Sequence, residues 1–197
     1  MKTKKRNLGL NLKHLHKLKR LPVLIIVPSE FAFLLTRINK VRFSIFLMLA
    51  AFATSLLSEV VATGGIADLQ QSLIYSSEVI ILLLVIMVVF STLFFLVFRL
   101  FRIKINLLFL IINSLLLGMF SFIIQQCFII LVNAGQLSPA LANINFNLVN
   151  DIGLVLILSW HAQTFIALVK QKAELKPVTE VLSQLAYLAV LLLVIGT

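Results

Sequence analysis

The chain has 197 residues, of which 61% are hydrophobic, 12% are charged and sixteen are Phe. That balance excludes a soluble enzyme or soluble binding domain, because a body of this size has too little interior to hide so much apolar surface from water. The net charge of +10 comes from seventeen Lys and Arg confined to residues 2–42, 99–104 and 170–176, clusters that membrane topology explains without nucleic acid as a partner.

Residues 1–41 read as a cytoplasmic basic arm with an interfacial helix. On a helical wheel Leu8, Leu12, Leu15 and Leu18 fall near one side and Lys13, Lys17 and Arg20 on the other, a moment suited to an anionic leaflet. With Lys19 these cations are the candidate surface for anionic lipid or a cytoplasmic protein. A solvated tail that only enforces orientation satisfies the same composition. Leu21 to Val27 is bracketed by Pro22 and Pro28 and is too short for a secretory signal. Pro28-Ser29 predicts a helix start, with Glu30 in the first turn where the helix dipole favours an acid.

Residues 42–197 read as a bundle of five transmembrane helices, about 43–63, 78–98, 105–132, 151–169 and 180–197. About 20 apolar residues cross a hydrocarbon core of roughly 30 Å. The basic turn Arg99-Leu100-Phe101-Arg102-Ile103-Lys104 separates the second run from the third. Cations stay on the cytoplasmic side of short loops, so the first run is entered past Arg37, Lys40 and Arg42 and the fourth leaves through Lys170, Lys172 and Lys176. This bookkeeping puts the N-terminus inside and the C-terminus outside. Ala50, Thr54 and Ser58 recur every fourth position on the first span, and Ser114 and Gly118 repeat that spacing on the third. Such small-residue strips form helix-packing seams, within one chain or in a homo-oligomer.

The deepest ionisable side chain is His161, nine positions from Lys170 and about 14 Å along its helix. The same arithmetic predicts a mid-membrane polar layer of Ser91, Thr92, Asn113, Ser114, His161, Gln163, Thr164 and Tyr187. Intramembrane ionisable groups are functional candidates by default, here for a proton or solute path. Hydrogen bonding between helices is the plainer use of the same residues, and no span holds an internal Pro that would break it open. No catalytic residue, cofactor or metal is expected. The chain has neither a G-x-S-x-G nor an H-E-x-x-H motif, and its single cysteine, Cys127, lies in an apolar run.

Pro28-Ser29-Glu30-Phe31 before the first span, Trp160 in the fourth, and the loop from Lys170 to Thr179 before a terminal span together resemble the Yip-domain family of five-span membrane proteins in its bacterial form. The chain departs from that pattern in lacking a proline in the third span. The resemblance implies a non-catalytic protein that acts through partners, and the same likeness implies the bacterial inner membrane. The expected function is a membrane adaptor or scaffold; the alternative is a small transporter or permeation protein using the layer around His161.

Overall fold

The computed structural model describes residues 27–62, 69–136, 144–173, 175 and 177–195. Among them all six elements are helices: α1 (Pro28–Arg37), α2 (Lys40–Ala62), α3 (Leu69–Leu100), α4 (Leu107–Gln136), α5 (Phe146–Lys170) and α6 (Pro177–Ile195). Four of them, α2 to α5, contain stretches long and apolar enough to cross a membrane. The chain is therefore an all-helical, multi-pass membrane protein.

Local chemistry sets where these helices begin. Three starts use an asparagine whose side-chain oxygen takes a free backbone N–H of the first turn: Asn39 from Arg42, Asn106 from Leu108 and Asn145 from Leu148, at 3.3, 2.8 and 3.2 Å. Helix α1 instead starts with Pro28 in its first turn, where the missing N–H costs nothing. Helix α3 ends in a Schellman turn. Arg102 donates to Arg99 O at 3.0 Å and Ile103 to Phe98 O at 2.8 Å, with Arg102 in the left-handed region at φ 57°.

Helices α2 to α6 extend past the expected spans at one end or both, while α4 starts at Leu107, two residues inside the expected 105–132. Helix α3 begins at Leu69 although Gln70, Gln71 and Ser72 are polar, and α5 begins at Phe146, before Asp151. Backbone hydrogen bonding continues wherever no residue stops it, whereas a span is bounded by where charge and polarity begin. Helix α6 starts at Pro177, so Thr179 lies inside its first turn.

Helix α4 is central, packing against α2, α3 and α5, while α5 also carries α1 and α6. Accordingly α4 buries Leu110, Leu116 and Leu117, and α5 buries Phe165, Ile166 and Val169. Helices α2 and α3 leave Leu49, Val41 and Ile81 more than half exposed, as lipid-facing side chains require. Close approach has two glycine contacts. A β-carbon at Gly118 would meet Met87 Sδ at 2.7 Å, and one at Gly153 would overlap the Phe128 ring.

Helix α1 is seated in the bundle by one face. Phe31, Ala32 and Leu35 are buried, and the Phe31 ring lies 4.5 Å from Phe120 and 5.1 Å from Trp160, between centroids. Trp160 precedes Lys170 by ten residues, about 15 Å along α5, so the aromatic side of α1 reaches well into the bundle. Its other side is exposed, with the Arg37 guanidinium 3.9 Å over the Phe33 ring.

Candidate functional site

Two polar regions occur at different depths. The deeper one joins three helices through His161 of α5. Its Nδ1 lies 2.8 Å from Ser121 Oγ of α4, and its Nε2 lies 2.6 Å from Tyr187 Oη of α6. All three side chains are buried. A neutral imidazole donates through one nitrogen and accepts through the other, while each hydroxyl can do either, so both tautomers leave the ring satisfied. The polar chain thus runs Ser121, His161, Tyr187 across the bundle.

An aromatic wall surrounds the tyrosine. Phe165 stacks on its ring at 4.3 Å and Phe90 meets it edge-on at 4.4 Å, with Phe94 at 5.1 Å. Phe90, Phe94 and Phe98 recur every fourth position, so a single stripe of α3 faces inward. Such rings supply apolar packing and edge-to-face attraction, and they keep the hydrogen-bonded chain dry.

The other polar side chains singled out by depth have separate partners. Ser91, Thr92 and Thr164 each donate to a carbonyl one turn back in their own helix, at 2.6, 2.9 and 2.9 Å. Asn113 donates to Phe109 O at 2.6 Å and accepts from Lys40 Nζ at 3.2 Å. The Ser114 hydroxyl is buried with no hydrogen-bond partner among the described residues. Gln163 is exposed. Of the eight residues, then, only His161 and Tyr187 bond to each other, and their third partner, Ser121, falls outside the set.

Depth counted from the nearest cation explains the omission. Residues 103–106 are not helical, so Asn113 is only six positions into α4, about 9 Å, whereas Ser121 is fourteen positions in, about 21 Å. Helix ends that are not level bring Ser121, rather than Asn113, opposite His161. The small-residue strip on α2 shows a similar offset: Ser58 is buried and Ala50 and Thr54 are half-buried, while Leu47, Ala51 and Ser55 are buried one position round the helix. Gly118 and Ser114 both lie on the buried side of α4.

The shallower region lies at the end of the bundle where the basic residues gather. Lys40 Nζ stands 5.4 Å from the Phe109 ring centroid and Lys172 Nζ 5.9 Å from the same ring. Lys104, Asn106 and Lys172 line a cleft of about 470 Å³ over Phe109 and Ile112. A second cleft, of about 490 Å³, lies between the start of α1 and the α5–α6 turn, lined by Ser29, Gln163, Lys170, Glu180 and Gln184. Across it Lys170 Nζ pairs with Glu180 Oε2 at 2.8 Å. A third opening is an apolar groove of about 390 Å³ between α2 and α4.

Lys13, Lys17, Lys19 and Arg20 lie outside the described residues. Among the described residues no three His, Cys, Asp or Glu side chains gather as metal ligands would. No family model, curated protein or solved structure matches the chain.

Proposed function

We propose that the chain is a non-catalytic membrane adaptor or scaffold, with five spans, its N-terminus in the cytoplasm and its C-terminus outside. The bacterial inner membrane and the Yip-domain family are part of the same reading. The observation that supports it is the placement of polar groups by depth. His161 has both nitrogens occupied by hydroxyls of neighbouring helices, which suits interhelical bonding. Open clefts lined by Lys40, Lys104, Lys170 and Lys172 lie at the basic end. A contact surface for a cytoplasmic protein belongs at that end, next to the arm of residues 1–20.

The test is deletion of residues 1–20 in the full membrane protein, followed by crosslinking in native membranes and mass spectrometry of what is recovered. Loss of a specific crosslinked partner with membrane insertion retained is the expected result. An unchanged set of crosslinked proteins refutes the reading.

A transporter reading draws on one observation, the continuous Ser121–His161–Tyr187 chain across three helices, which has the connectivity of a proton relay. It requires a pH-dependent flux in reconstituted vesicles that His161→Leu abolishes. Equal flux with and without protein removes it.

A further inference from the structure

We infer that the basic end of the bundle holds one anionic phospholipid, its phosphate between Lys40, Lys104 and Lys172 and one acyl chain in the groove between α2 and α4. This does not depend on the adaptor reading, because residues 1–20 take no part in it.

Charge defines the headgroup. Lys40 and Lys172 both stand within 6 Å of the Phe109 ring, and Lys104 lines the same cleft as Lys172. The one ion pair among the described residues is Lys170 with Glu180, so these three ammonium groups have no carboxylate partner there. Lys40 and Lys172, which share the Phe109 ring, repel each other at the low effective dielectric beside a membrane, and Lys104 adds a third positive charge to the cleft that Lys172 lines. An anion among them removes the repulsion, and lysines hold a phosphate as point charges, with Asn106 beside them as a hydrogen-bonding group.

The groove defines the rest of the ligand. Lys40 lies at its basic end, where it also donates to Asn113. From there the wall is apolar but for Ser44, whose hydroxyl donates to Val41 O at 2.9 Å: Val41, Ile45 and Met48 on α2 face Ile112, Leu115 and Met119 on α4. Val41, Ile45 and Met48 are 69%, 56% and 50% exposed, so the groove is open along its length. Residues 40 to 49 cover about 14 Å of helix, close to half of a hydrocarbon core roughly 30 Å thick. An acyl chain crossing one leaflet has that length. Ile112 lines both the basic cleft and the groove, so a charged head and an apolar tail can belong to one molecule. A free phosphate leaves the groove unfilled, and a zwitterionic lipid brings its own cation, which offsets the phosphate and adds to the positive charge at the site.

Native mass spectrometry of the full chain in neutral detergent tests this, with phosphatidylglycerol and phosphatidylcholine of identical acyl chains as probes. Phosphatidylglycerol should be retained preferentially, and Lys40→Gln, Lys104→Gln and Lys172→Gln should each lower its retention about fivefold. Lys104→Gln is the decisive variant, because the Lys104 side chain is exposed and its loss leaves the fold intact. Met48→Trp, which fills the groove, should lower retention of both lipids, and Lys170→Gln should change neither. Equal retention of the two lipids by the wild-type chain overturns the inference. So does a Met48→Trp variant that loses dimers but keeps phosphatidylglycerol, since a second copy would then occupy the groove.

Discussion

The two polar regions of this bundle solve opposite problems. Around His161 every polar atom of the ring is bonded and the surroundings are aromatic, whereas around Phe109 cations gather, with Asn113 bonded to Lys40 and Asn106 lining the cleft beside Lys104 and Lys172. Away from water an unmatched polar group costs about 1–3 kcal/mol, a cost that the His161 ring avoids and that the Ser114 hydroxyl, without a partner among the described residues, does not. At the bundle's end, access to water and to the headgroup layer lowers that cost. Depth, rather than residue type, decides how each group is satisfied.

The strongest challenge to that contrast is Tyr187→Ala, which removes the stacked ring and one partner of His161 together. It should destabilise the protein by about 3–5 kcal/mol, read as loss of helical circular dichroism against denaturant in mixed micelles. A loss of less than about 1 kcal/mol would mean that the deep centre is not a structural unit. Tyr187→Phe isolates the hydrogen bond from the packing and should cost about 1–3 kcal/mol. At the shallow end, Arg102→Gly relieves a non-glycine residue in the left-handed region and should stabilise by about 1 kcal/mol in the same assay; destabilisation would show that the Arg102 charge outweighs its backbone strain. Lys170→Gln breaks the ion pair with Glu180 and should change stability least, by about 0–1 kcal/mol, an effect that added salt erases. A larger, salt-independent loss would place that pair out of reach of water and blur the distinction between the two regions.

Much of the helical architecture is legible from uncharged runs and the cations between them, since lipid imposes both. Helix termini are less so. Charges mark where the chain meets the headgroups, whereas hydrogen bonding stops at caps, and the Asn39, Asn106 and Asn145 caps are the local signals that place three starts. His161 and Tyr187 stand out in the sequence as deep polar residues and bond to each other. Ser121 does not stand out, because its level opposite His161 depends on how far α4 is displaced along α5, and no local pattern encodes that displacement. Lys40 and Asn113 meet for the same reason: they are 73 positions apart and come together only when α2 and α4 pack.

The seating of α1 against Trp160 has a practical consequence. Trp160 is the only indole in the chain, and its ring lies 5.1 Å from Phe31 and 5.7 Å from Phe120. If α1 swings away, that chromophore exchanges a neighbouring phenyl ring for lipid or water, and its emission spectrum and accessibility to quenchers change. The protein carries its own optical gauge of whether α1 is docked, readable in intact membranes without attaching a dye.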